Sequence, residues 1–403
     1  MKINTCPISG SNESIEYLNL GDIPLVNNLC NTREESLDCK KYPLVVQLFP
    51  ESGLSCLTEV IPKEELFGHY LYKSGVNSPY LVHCSDMYDY LEKYTNLEEG
   101  GTVLDIGGND GSLLMQFFKK NEKLLLVNID PCEAFEQENF DKGIVYYPEF
   151  FGEATDLVGK ADVITSTNVF QHNKGLRSFV KGIYKNLIYD GIWCLEFPYW
   201  LTTMITDNYD QVYHEHIYYY RLKNINDILL QEGMKIINVS YHNIHAGTLR
   251  VISAKADSSF DADSSVQSFL NLESFMTESF YTYWGMRIDE KICDFKGIVK
   301  GYARDRGNII IGFGACAKGC VFLNTCELDD LDILYVIDDT PEKQGKFIPG
   351  TGIEIVSREI LKTVTPDYIL ILAHNFRDYI IDSLLKDGYK GKFIVMFPEI
   401  QII

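Results

Sequence analysis

The chain has 403 residues, 46% of them hydrophobic and 23% charged, which supplies a buried interior and is too long for one ordinary core, so two or three domains are expected. A net charge of -21 argues against a nucleic-acid or anionic-membrane surface, although a local basic pocket can still hold an anionic ligand. No secretory leader opens the sequence and no uninterrupted apolar run reaches membrane length, so a cytoplasmic protein off the membrane is expected; the eleven cysteines are scattered and read as small buried hydrophobes or surface thiols.

In chain order, residues 1–75 show short apolar runs broken by Gly, Pro and Asn and predict a small, irregular N-terminal module. Residues 76–256 alternate β-rich runs with helical stretches, the pattern of parallel βαβ units: "TVLDIG", "KLLLVNID", "GIVYYP", "ADVITSTN", "GIWCLEFP", "MKIINVSYHN" and "TLRVISAK". Only "IHAG" separates the last two, too little for a crossover helix, so they predict an antiparallel hairpin at the sheet edge. Five parallel strands and a terminal hairpin form the class I methyltransferase layout rather than that of a dehydrogenase. Residues 257–403 begin with a Ser/Asp-rich linker and long helices and continue as a second, Rossmann-like α/β set, "NIIIGFG", "LDILYVIDD", "PDYILILA" and "KFIVMFPEI".

"VLDIGGNDGSLL" joins a predicted strand to a predicted helix. Gly107, Gly108 and Gly111 allow a tight turn and close ligand approach, with Asp105 and Asn109 beside them, and Asp130 ends the next strand where an acid can accept from two ribose hydroxyls. With the hairpin-terminated sheet this favours S-adenosylmethionine, with NAD second. Asn168 and His172 follow the fourth strand and belong to the same carboxyl-end rim. So does "DQVYHEHIYYYR". There His214 and His216 in an extended chain would share a face and could hold a metal with a further ligand, while His216, with Glu215 and Tyr213, could equally do acid–base chemistry. In "IIIGFGACAKGC" a glycine turn at Gly314 and the charge of Lys318 suit an anionic group, and in the hairpin His245 and Arg250 are candidates to touch substrate.

Taken together, "LGDIPLVNNL", "YLYKSG", "DIGGNDGSLL", "NVFQH", "DQVYHEH", "HAGTLR", "IGFGACAKG" and "DDTPEKQGKFIPG" resemble the S-adenosylmethionine-dependent nucleotide-sugar C-methyltransferases that modify deoxysugars, over nearly the whole chain. The resemblance implies a zinc module, a cofactor domain and a C-terminal α/β domain enclosing a nucleotide-linked ketosugar. It puts the base on His216, its companions on Tyr213 and Glu215, a further active-site histidine on His172 and a tyrosine on Tyr70 or Tyr72; Gly314, Lys318 and Lys343, which lie in the last two motifs, are expected as substrate contacts. The chain departs from it at the metal. The implied Cys-x-x-Cys pairs fall on Cys6 with Ser9 and on Phe49 with Ser52, and Cys30, Cys39 and Cys56 do not restore the spacing, so no metal is expected.

The chemistry expected is removal of a proton next to a ketone by His216, with His172 or an N-terminal tyrosine donating to the enolate oxygen. An O-methyltransferase acting on a nucleotide sugar, with His216 deprotonating a hydroxyl, is the alternative, and a silent sugar-nucleotide binding protein is a third.

Overall fold

The computed structural model describes residues 1–66, 75, 78–157, 159–244 and 246–403, so Tyr70, Tyr72 and His245 lie outside the described residues. Three sheets organise what is described. The first begins with the antiparallel strands β1 (Ile15–Pro24), β2 (Lys41–Phe49) and β3 (Leu54–Leu57). The N-terminal region is therefore regular, contrary to expectation. Register shifts between Glu16 and Leu18 and between Asn19 and Asp22 break the alternation of apolar residues, because each bulge changes the phase of a period-two pattern.

The second sheet contains β4 (Gly101–Ile106), β5 (Leu124–Ile129), β6 (Val145–Tyr147), β7 (Ala161–Thr167) and β8 (Leu187–Pro198). After β8 the chain makes the short strand β9 (Tyr218–Tyr219), which pairs with β3 and so extends the first sheet. It returns as β10 (Met234–His242) and β11 (Thr248–Lys255), giving the order β10-β11-β8-β7-β4-β5-β6. Only β11 runs against its neighbours, as the short hairpin requires. Side chains of alternating residues feed two cores, Leu104, Ile164 and Leu195 on one face and Val103, Val163 and Cys194 on the other. The strand order reverses between β4 and β7, which opens a ligand crevice at their carboxyl ends.

A helix at Glu278–Lys300 then crosses back over β1. Gly285 allows this contact: a Cβ there would lie 1.7 Å from the Tyr17 carbonyl oxygen. Tyr281 and Trp284 flank it against the Tyr17 ring. The third sheet comprises β12 (Ile310–Phe313), β13 (Val336–Ile337), β14 (Ile355–Val356), β15 (Tyr368–Ile371), β16 (Lys392–Val395) and β17 (Gln401–Ile402), in the order β14-β13-β12-β15-β16-β17. It is parallel except for β17. Two-residue strands such as β14 and β17 carry no readable period. Among the described residues no helix is long and apolar enough to cross a membrane.

Candidate active site

The segment 213–216 is a turn, closed by the His216 N–H donating to the Tyr213 carbonyl at 2.9 Å. Its two histidines therefore leave in different directions, and the shared face expected of His-x-His does not form. The buried His214 sets Nε2 3.3 Å from the carbonyl oxygens of Tyr42 and Pro43, on the N-terminal sheet. His216, also buried, meets His172, which follows β7, with ring centroids 4.9 Å apart.

The tautomers follow from the acceptors. Nδ1 of His216 lies 2.8 Å from the Gln211 carbonyl oxygen, which can only accept, so Nδ1 carries the hydrogen and the Nε2 lone pair takes the Tyr213 hydroxyl at 2.7 Å. Burial, and then the neighbouring His172, push the His216 pKa well below its ordinary value, so the ring is neutral at neutral pH. By the same reasoning His172 donates Nδ1–H to the Glu215 carbonyl oxygen at 2.7 Å, and burial brings its pKa down to about 4. Its one hydrogen is spent on the backbone. The expectation that His172 donates to an enolate oxygen does not fit this arrangement. Glu215 accepts from Asn27 Nδ2 at 2.5 Å, and burial raises its carboxyl to about 7 against that bond.

In the cofactor crevice Gly107 and Gly111 adopt φ of +67° and +75°, and a Cβ on them would meet Val169 Cγ2 or Ile144 Cδ1 at 2.5 Å, so the turn closes only with glycine. Gly108 is packed against Asn128 and Asp105. Asp130 accepts from the backbone N–H groups of Asn109 and Cys132, each at 2.9 Å, which fixes the carboxylate and leaves lone pairs for ribose hydroxyls. Asp105 instead takes the Thr165 hydroxyl at 2.8 Å. Asn168, at φ +56°, has its buried Oδ1 without a hydrogen-bond partner among the described residues. A left-handed glycine turn, a fixed acceptor pair and an orphaned amide oxygen at one switch point fit an adenosyl cofactor. Gly75, beyond the tyrosine segment, donates its N–H to Asp110 at 3.0 Å.

Several residues expected at the substrate have other partners. Arg250 is 1% exposed and pairs with Glu196 at 2.7 Å, with His83 completing the cluster. Burial alone would raise Glu196; His83 and Arg250 hold it down at about 2. Lys343 donates to the Ala315 carbonyl at 2.8 Å and lies 3.4 Å from Asp338. At Gly314 the space a side chain would need belongs to Ala373. In this structure the groups of these three are already satisfied or enclosed. Lys318 differs: its buried Nζ has no hydrogen-bond partner among the described residues.

The positions aligned with zinc ligands do converge, but on a Cys6–Ser52 contact of 3.2 Å, with the Ser9 N–H on Cys6 Sγ and Phe49 fully buried. One thiol is not a thiolate tetrad, and the donor set does not fit zinc. Asn27, Asp210 and His374 were not expected in or beside the site. Asn27 and Asp210 stand inside quoted stretches, "LVNNL" and "DQVYHEH", while His374 follows the strand run "PDYILILA" with no motif to mark it.

Sheet order and crevice define a class I, S-adenosylmethionine-dependent methyltransferase. Family models match twice: a methyltransferase domain at residues 82–239 and a C-methyltransferase C-terminal domain at 243–398. C-methyltransferase NovU of Streptomyces niveus is 27% identical across 100% of this chain and 97% of its own. Among solved structures, mitomycin 7-O-methyltransferase MmcR is similar at 15% identity over 45% of this chain and 55% of that one, TM-score 0.37. Magnesium protoporphyrin IX methyltransferase ChlM of Synechocystis PCC 6803 is similar at 16% over 46% and 90%, TM-score 0.36. The chain is a C-methyltransferase, and S-adenosylmethionine is its cofactor.

Proposed function

We propose that the enzyme methylates the carbon next to the keto group of an NDP-4-keto-deoxysugar, with His216 as general base and an enolate as intermediate. The observation that carries this is the His216 ring: buried, neutral, fixed through Nδ1 by a backbone carbonyl, with the Nε2 lone pair directed to a group that substrate can replace, the Tyr213 hydroxyl. A sugar C–H is too weak an acid to react with a methyl donor, but beside a ketone its electron pair delocalises onto oxygen. S-adenosylmethionine supplies the electrophilic methyl. His216 takes the proton, Tyr213 and Glu215 fix the turn, and the N-terminal module holds Glu215 through Asn27. In this reading residues 1–75 are the supporting module, 76–256 the cofactor domain and 257–403 the substrate domain.

Exchange in D2O tests it, because enolisation needs no methyl donor. With ketosugar nucleotide and no S-adenosylmethionine, the wild-type enzyme is expected to wash deuterium into the α-carbon. His216→Asn is expected to bind both ligands, to lose exchange and to turn over about 10²- to 10⁴-fold more slowly. Wild-type exchange in that variant would remove His216 from the role of base.

A further inference from the structure

A second polar cluster lies beside the base, on the C-terminal sheet. The order of that sheet reverses between β12 and β15, and open α/β sheets take ligands at the carboxyl ends of strands at such a point. Lys318 stands in the first turn of the helix Ala317–Thr325 that follows β12, and His374 stands just after β15. Both therefore border one crevice. Asp210 enters it from the other side, on the loop Tyr209–Gln211 of the methyltransferase region, with Oδ2 3.0 Å from His374 Nδ1. The loop is fastened there: the Tyr209 hydroxyl lies 3.0 Å from Thr325 Oγ1, and the Phe397 ring contacts both Tyr209 and His374.

This cluster is unsatisfied. Asp210 is 1% exposed, yet neither carboxylate oxygen has a hydrogen bond of good geometry among the described residues, and the same holds for the buried Nζ of Lys318 and Nε2 of His374. Buried polar groups are normally paired, so such a set points to a ligand that completes it. The base is adjacent. Gln211, next to Asp210, orients His216 through its carbonyl; burial lowers the Lys318 pKa and the Asp210 charge opposes that, while a charged Lys318 adds to the depression of His216.

The composition of the cluster selects the part of the ligand. A diphosphate would be repelled by the Asp210 carboxylate, whereas an ammonium donor and a carboxylate acceptor that border one crevice without pairing to each other suit the carbonyl and hydroxyl groups of a sugar ring. Enolisation next to His216 also needs a donor for the oxygen, and His172 has none to give.

We propose that Lys318 is a catalytic residue whose ammonium donates to the substrate carbonyl oxygen and stabilises the enolate, that the Asp210 carboxylate favours its charged form, and that His374 positions Asp210. This rests on the enolate reading above. In the step, His216 Nε2 takes the α-proton. The C–H electron pair becomes the new carbon–carbon π bond, the carbonyl π pair moves onto oxygen, and that oxyanion is hydrogen-bonded by Lys318. The net change is one proton moved from carbon to imidazole.

The test measures deuterium exchange without S-adenosylmethionine and, separately, calorimetric affinity for the ketosugar nucleotide and for the nucleoside diphosphate alone. Lys318→Met is expected to slow exchange by about 10²-fold or more while both affinities stay within a few-fold of wild type. Lys318→Arg is expected to recover part of the rate. Asp210→Asn is expected to slow exchange less, and Lys318→Met with Asp210→Asn to be no slower than Lys318→Met alone, because the two act as a unit. His374→Asn should lower kcat with KM unchanged. If Lys318→Met, still folded by thermal melt, exchanges at the wild-type rate, or weakens nucleoside diphosphate binding without slowing exchange at saturation, Lys318 is not the oxyanion donor. An absence of exchange in the wild type would overturn the enolate reading itself; wild-type exchange lost in His216→Asn but kept in Lys318→Met would overturn this proposal alone.

Discussion

Glu215 lies buried against Asn27 with its carboxyl raised to about 7 by desolvation, so its ionisation falls in the range where the enzyme would be assayed. The sign is fixed by linkage. A carboxyl raised in the folded state from an unfolded value near 4.5 leaves stability intact below that value and takes it away as pH rises through 7, on the order of 3 kcal/mol at most. Glu215→Gln keeps an amide oxygen for Asn27 and removes the ionisation. Thermal melts from pH 4.5 to 8 should show the variant gaining on wild type as pH rises, with the gap level above about pH 7 to 8; a constant gap would mean that Glu215 does not titrate there. Asp130 gives a separate residue-scale expectation. Its replacement by Ala removes the acceptor for ribose, worth about 1.5 to 3 kcal/mol, and calorimetry should find S-adenosylmethionine bound roughly tenfold or more weakly. The placement of Asp130 just past β5 and of His216 in a turn beside His172 was legible because each lies in a local motif next to a readable strand. Asn27 and His374 were not, since what brings them to the turn is the packing of distant segments. The partners of Arg250 and Lys343 were hidden for the related reason that a sequence shows a charge without showing the acid beside it.

Among the elements, the helix Glu278–Lys300 has the narrowest tolerance. Gly285 costs it roughly 1 kcal/mol of intrinsic helix preference relative to alanine, and close contact with β1 is what that cost secures. Gly285→Ala should regain that preference and still lower the melting temperature, because the new Cβ would meet backbone at Tyr17 rather than a side chain able to move, and overpacking of this kind costs about 1 to 3 kcal/mol. A melting temperature equal to or above that of wild type would show that the helix can slide. The strands of the second sheet could be read from sequence because helices cover both faces and leave continuous apolar runs. The first sheet could not: two bulges scramble its alternation, and its fourth strand is two tyrosines contributed from the chain between β8 and β10.

At the scale of the molecule the three sheets are not independent. The pairs Ser55 with Tyr219 and Cys56 with Tyr218 give β3 its outer neighbour, and the Leu57 N–H donates to the Ile217 carbonyl at 2.9 Å. Residues 1–66 expressed alone would lack this neighbour and the helix over β1, leaving an apolar face and an unpaired edge, so the fragment is expected to be insoluble or to show no dispersed amide NMR spectrum. A well-dispersed spectrum would show that the module folds unaided.

The strand β9 also bears on the order of events during synthesis. The ribosome finishes β3 at residue 57, yet its partner does not exist until residues 218–219 have been made, so that strand must wait for the rest of the methyltransferase region. When that strand docks, it draws in the turn just before it, and His216 arrives at its station in the same act that completes the first sheet.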